Sequence, residues 1–396
     1  MLLNHGIHLA YCTNVHRGGD WEETFQSLQE DVMRVRKEVS PDQPYAIGLR
    51  LSAQAAKDLS DSQRFLEFQR WLEVNQSYVF TINGFPYGDF HGTRVKEQVY
   101  VPDWATKERL EYTNLLFNLL SELLPAGTPG SVSTLPGSFK EFYKQRPDGS
   151  FEVPDALFAN LKSCCDHIEN LCRKTGQDLH LGLEPEPLGL FETSSETVEF
   201  LDQLGAKSFG SDASWKQVIG VNYDTCHLAV EFEEPQEALS RMVDADYRIS
   251  KIHISSALSL TPTQATVEQL KEFHEPVYLH QIVAAREGEV LQRWKDVDIA
   301  LDAVDVEDLS KYGDQWRVHF HVPLHASPGQ PFSDTRDHVL GTLDYLQQAP
   351  DTCQHLEMET YTWEVLPKEL RTGDVVDQVV EEYRWTLQQM QSRGLA

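Results

Sequence analysis

The stretch Leu179-His-Leu-Gly-Leu-Glu184-Pro-Glu186-Pro, then 193–204, then 217–222 running into Asn222-Tyr-Asp224-Thr-Cys-His227, contains one complete strand–helix–strand unit. The apolar run 179–184 is as short as a buried strand should be, and Pro185 ends it by removing a ladder donor. The segment 193–204 opens on Thr and Ser hydroxyls that can cap a helix. The run 217–222 is again strand-like.

The same alternation extends in both directions. Strands are expected at 5–13, 45–51, 78–83, 130–134, 250–254 and 354–359, making eight in all. Between them, 20–39 carries Phe25, Leu28, Val32 and Val35 on one helical stripe. The segment 103–124 opens on Asp103 as a helix cap and closes before Pro125. Pro154 starts 154–174 and Gly176 follows its end, and 333–348 and 367–393 supply two more helices. Eight strands separated by helices is the order of a (β/α)8 TIM barrel. A doubly wound sheet would show a glycine-rich first turn, yet neither GxGxxG nor GxxxxGKS/T occurs. About a hundred residues between Ile254 and Cys353 break the rhythm, with strand-like pieces at 278–284 and 316–324. They read as an insertion, 258–312, near the mouth of a single barrel domain covering 1–396. The other reading makes this stretch the true seventh strand with its neighbour displaced.

Composition excludes more than it identifies. The 396 residues carry 34 Lys and Arg against 62 Asp and Glu, a formal charge of −28. Phosphate-tracking proteins need a cationic footprint, so nucleic acid is not an expected partner, nor is an anionic membrane surface. With 40% hydrophobic and 10% aromatic residues the chain can build a large core. The acid runs at Glu22–Glu23, Glu231–Glu234 and Glu381–Glu382 read as solvated helix surface. Six cysteines without a CxxC pair suit reduced thiols. The first residues lack a basic-then-apolar leader, and no apolar run approaches a membrane span. A cytoplasmic protein is expected.

In such a barrel, chemistry sits where strands end at their carboxyl side. Glu184 and Glu186 end one strand, Asp224 and His227 the next, His253 the one after, and Glu357 and Glu359 the last. Together they make an ordered carboxylate–imidazole series suited to Mn²⁺, Zn²⁺, Co²⁺ or Mg²⁺, with histidine weighing against pure Mg²⁺. Alone, each has a blander role: a strand-end Glu is commonly a loop cap, and a lone buried His a satisfied core residue. Asp224 and His227, three apart, face one site only if the chain turns at Asp224. His319 and His321 lie on one strand face. They complete the metal shell, form a second metal site, grip a substrate anion, or simply hydrogen-bond within the insertion. Asn83 and His91, in the loop 83–92, read as substrate-binding lid residues, or as a structural turn. Trp363 reads as a platform for a substrate ring, or as a barrel plug. No GxSxG elbow supports serine-hydrolase chemistry.

The series LEPEP (183–187), NYDTCH (222–227), KIHIS (251–255) and HLEMET (355–360) resembles the xylose-isomerase-like TIM barrels, which include sugar-phosphate isomerases and epimerases and type IV apurinic endonucleases. By that resemblance Glu184, Asp224, His227, His253 and Glu359 are implied metal ligands, with Glu359 taken over Glu357. Over nearly the whole chain, HLAYCTNVH (8–16), GLRLSA (48–53), INGFPYGDFHG (82–92), VYVPDW (99–104), STLPGSFK (133–140), LHQIVAAREG (279–288), HFHVPLH (319–325) and HLEMETYTWEVLP (355–367) resemble the EboE-type metabolite traffic proteins. That family is encoded beside a prenyltransferase-like membrane protein in clusters linked to secondary-metabolite precursor export, which implies a membrane-protein partner.

The leading expectation is a metal-dependent sugar isomerase or epimerase acting on a small polyol or secondary-metabolite precursor. The metal would hold two substrate oxygens and stabilise an enediolate, while Glu184 and Glu359 move a proton between neighbouring carbons. The alternative keeps the barrel and the metal but handles a metabolite for a membrane export cluster without turning it over. A DNA-repair endonuclease follows from fold analogy alone and conflicts with the charge.

Overall fold

The computed structural model describes residues 1–89, 91, 94–367, 371 and 373–396. Its strands are β1 (His8–Tyr11), β2 (Tyr45–Arg50), β3 (Ser77–Asn83), β4 (Gly130–Thr134), β5 (Leu179–Leu183), β6 (Ile219–Asp224), β7 (Ile249–Ile254), β8 (Ala257–Leu260), β9 (Ile282–Arg286), β10 (Glu289–Trp294), β11 (Gln315–His321), β12 (Phe332–Asp334) and β13 (His355–Met358). The first seven and β13 form an eight-stranded sheet in the order β1-β13-β7-β6-β5-β4-β3-β2, every neighbouring pair parallel. A parallel bridge between Cys12 and Gly48 joins the two ends and closes the barrel. The fold is a (β/α)8 TIM barrel, with the seventh strand at Ile249–Ile254.

The alternation of side chains explains the layering. Leu181, Leu183, Val221, Ile252 and Leu356 are buried in one large core. The other set is polar or small: His355 Nδ1 shares a hydrogen bond with Ser131 Oγ at 2.8 Å, across from β13 to β4, and Gly182 lies so close to Asn222 and Ser250 that a Cβ would meet both near 3.1–3.2 Å. The barrel lumen is therefore a hydrogen-bonded interior with little room to spare.

Helix ends follow local chemistry. Asp20 caps Trp21–Ser27 by accepting from Glu23 N, and Gly176 ends Asp155–Thr175 at φ +72°, a left-handed turn that suits glycine. The helix expected from Asp103 starts later, at Lys107, capped by Thr106. Asp103 instead holds a turn, accepting from Ala105 N, Ser138 Oγ and Tyr143 Oη. The terminal helix is Val375–Gln391; positions 368–370 and 372, within the 367–393 expected to be helical, lie outside the described residues. No helix among the described residues is long and apolar enough to cross a membrane.

Between β7 and β13 the chain builds a second sheet, antiparallel, in the order β10-β9-β11-β8-β12. It has its own core around Leu258, Leu260, Trp294, Trp316 and Phe320. Its strands run from Ala257 to Asp334, past both ends of 258–312, because β8 pairs on one side with β11 and on the other with β12. Long-range pairing of this kind leaves no spacing signature.

Candidate metal centre

Glu184 follows β5, Asp224 ends β6, His253 lies in β7 and Glu359 follows β13, all at the carboxyl side of the barrel. Their ligand atoms lie within 4.8 Å of one another, and all four side chains are buried. His253 Nδ1 is 3.2 Å from Glu184 Oε1, 3.4 Å from Asp224 Oδ2 and 3.2 Å from Glu359 Oε2. One ring nitrogen cannot satisfy three carboxylates, and Asp224 Oδ2 has no hydrogen-bond partner although buried. Three carboxylates and one imidazole so placed fit a divalent cation, whose bonds of about 2.0–2.2 Å set opposite ligands about 4.2 Å apart.

The surroundings orient each ligand. His253 Nε2 is 3.0 Å from Glu357 Oε2, and that oxygen accepts from Lys251 Nζ at 2.6 Å, both side chains fully buried. The ring's Nε2–H thus points at a carboxylate and leaves Nδ1 for the cluster, the arrangement that raises a ligand histidine's basicity. Asn222 donates to Glu184 Oε2 at 2.7 Å, and Asn14 and Asn83 donate to Glu359 Oε1 at 2.8 and 3.1 Å. Ser255 Oγ donates to Asp224 Oδ1 at 2.7 Å, as does His227 N at 3.0 Å. The strand does turn at Asp224: it caps the short helix Thr225–Val230, which carries His227 back toward the cluster.

Electrostatics match this layout. Burial opposes charge on His253, but Glu359 and Glu184 prevail and raise its pKa well above the ordinary value. Burial likewise opposes ionisation of Asp224, and His227 and His253 prevail, holding it well below the carboxylate range. For Glu357, burial is outweighed by Lys251 and His253, and its pKa falls to about 2. Burial lowers both His319 and His321, His319 strongly.

The other residues read from sequence take varied positions. His227 stands beside the four rather than among them, its Nε2 3.9 Å from Asp224 Oδ1 and its ring 4.6 Å from that of His319. His321 donates from Nδ1 to the Glu359 carbonyl at 2.8 Å. His91 acts one step back, its Nε2–H donating to the Asn14 carbonyl at 2.6 Å; positions 90 and 92 of its loop lie outside the described residues. A cavity of about 60 Å³ opens onto the cluster, lined by Asn83, Glu184, Glu186, His319, Glu359 and Tyr361, among others. Trp363 does not line it. Trp363 is half-buried where the two cores meet, and Tyr361, from the same turn, faces the cavity instead. Sequence reasoning missed Asn14, Asn222 and Lys251. Lys251 carried a signal, lying two residues before His253 and so on the same strand face.

No family model matches the chain, and no curated protein matches its sequence. Solved structures similar to it include an IOLI protein with a bound zinc atom (12% identity, 97% of this chain and 98% of that one, TM-score 0.49). Others are a xylose isomerase domain protein from Planctomyces limnophilus (13%, 92% and 94%, 0.49) and D-psicose 3-epimerase with D-tagatose from Clostridium cellulolyticum (11%, 98% and 98%, 0.46). The barrel itself rests on the strand pairing of this chain.

Proposed function

We propose that this chain is a divalent-metal-dependent isomerase or epimerase that moves a proton between neighbouring carbons of a small polyol, sugar or related metabolite. The convergence of Glu184, Asp224, His253 and Glu359 within 4.8 Å supports this reading most strongly. Glu184, Asp224, His253 and Glu359 would hold the ion, which when bound would supply Lewis acidity to the substrate. Glu184 and Glu359 both face the cavity, each with one oxygen held by asparagine amides. One takes a proton from carbon as base and the other returns one as acid. Phe85, Tyr100 and Tyr361 wall the same cavity and exclude water that would carry the proton away.

The test is metal analysis of protein purified without chelators, followed by metabolite profiling with added Mn²⁺. Bound divalent metal that falls at least about 10-fold in Glu184→Gln, with depletion of a sugar or polyol and a new isomer, is expected. Absence of metal, or metal indifferent to Glu184→Gln, would sink the reading. Saturable binding without a product would replace it with metabolite handling.

A further inference from the structure

We infer that the substrate of this cavity is oxygenated at its reacting end only and carries an alkyl or ring group at the other. It is an α-hydroxyketone or hydroxyaldehyde with an apolar tail, rather than a sugar hydroxylated along its length. The reaction rests on the isomerase reading above; the preference for an apolar tail rests on the wall of the cavity. Beside the carboxylates and imidazoles that wall is carbon, with Phe85, Val95, Val99 and Leu279 lining it, all buried except the half-buried Val99.

The polar groups interleaved with this carbon are already engaged. The Tyr100 hydroxyl donates to Glu186 Oε2 at 2.7 Å. The Tyr278 hydroxyl donates to His91 Nδ1 at 3.1 Å, the nitrogen left as acceptor because Nε2–H goes to the Asn14 carbonyl. Lys96 Nζ is tied to Asp296. Asn83 gives its amide to Glu359 and accepts the Phe85 N–H on Oδ1, each at 3.1 Å. Gln281 Nε2 donates to the Pro187 carbonyl at 3.0 Å, and its Oε1 is 2.8 Å from His319 Nδ1. The backbone N–H groups of Val95 and Lys96 are paired as well, both with the Val277 carbonyl at 2.9 Å.

Among the described lining residues, two side-chain atoms stay buried without a partner, Asn14 Oδ1 and His319 Nε2. Both belong to residues at the ligand cluster. The Asn14 amide donates to Glu359 Oε1 at 2.8 Å, and the His319 ring lies 4.6 Å from that of His227. Unfilled capacity for substrate hydroxyls is thus gathered at the metal end. A hydroxyl farther along a sugar chain would exchange water for carbon and find no partner, which costs binding. An alkyl or ring group in its place gains by leaving water, and packs against aromatic rings such as the Tyr278–Tyr361 pair, whose centroids are 5.2 Å apart.

Titration calorimetry with hydroxymethyl isopropyl ketone and with erythrulose, on Mn²⁺-loaded and on chelator-treated full chain, tests this. The two ketones share the hydroxyketone end and differ beyond it. Both are compact, as a cavity of about 60 Å³ requires, since that is room for about four to six waters. The isopropyl ketone is expected to bind loaded protein at least about 10-fold tighter than erythrulose. Leu279→Asn should remove most of that preference. Val99→Thr, which keeps the side-chain shape and adds a hydroxyl, should reduce it even if Leu279→Asn misfolds. Erythrulose binding as tightly as the isopropyl ketone, or tighter, would overturn the apolar tail and leave the isomerase reading standing. So would a preference that neither variant alters, because the tail would then lie elsewhere. The expected preference, found undiminished after chelation, would uphold the apolar tail and count against the metal-dependent reading. Binding of neither ketone to loaded protein overturns the inference.

Discussion

Gly48 leaves the space that Glu357 fills. A Cβ there would sit 1.9 Å from Glu357 Oε1 and 2.6 Å from the Tyr11 carbonyl. Gly48→Ala must therefore push Glu357 away from Lys251 and His253. The expected result is a loss of about 1–3 kcal/mol in urea unfolding and metal affinity weakened about 10–100-fold by chelator competition. Glu357→Gln should weaken metal binding by a similar factor with Gly48 intact, since His253 then faces a neutral amide. Glu357 and Glu359 also show where sequence stops. Two residues apart, they share a strand face, and spacing cannot choose between them as ligand. The register of β13 on β7 decides: Glu357 stands level with His253 and is taken up by Lys251, leaving Glu359 for the cluster.

At the scale of elements, the barrel strands were legible because short apolar runs ended by Pro185 or by polar strand-end residues alternate with capped helices. Their limits shift by a residue or a few: 217–222 became Ile219–Asp224, and 5–13 shrank to His8–Tyr11 because His5 adopts φ 57° in a preceding turn. The inserted sheet is less legible. Of its five strands only β9 and β11 were anticipated, since β8, β10 and β12 are short or solvent-facing and gain their meaning from pairing. Trp316 lies fully buried in its separate core, with its indole N–H donating to the Tyr312 carbonyl at 2.8 Å. Trp316→Ala should cost about 3–5 kcal/mol in that unit. Hydrogen exchange is the check: protection should fall across 257–334 while the barrel strands keep theirs.

For the whole molecule, the −28 charge was expected to lie on solvated helix faces, and two of the acids cited for that are buried. Glu231 pairs with Arg293. Glu382 accepts from Thr360 and Gln378, each at 2.9 Å, and burial raises its pKa to about 8. In the unfolded chain that proton leaves near the ordinary carboxylate value of about 4.3. From there up to about 8 the folded chain holds a proton that the unfolded chain lacks. Stability therefore falls as pH rises, by up to about 1.4 kcal/mol per pH unit from this group. Glu382→Gln should remove that slope, so its stability relative to native protein should rise between about pH 6 and pH 8 in urea unfolding. Sequence by itself determined the eightfold alternation, the strand-end series and the acid excess, because periodicity, punctuation and charge are local or summed properties. Only the tertiary structure decided which carboxylates meet, that Lys251 takes Glu357, that Tyr361 rather than Trp363 faces the cavity, and that His319 comes to stand beside His227. Those outcomes depend on strand register, barrel closure and the docking of a second sheet, and each joins residues tens to hundreds of positions apart.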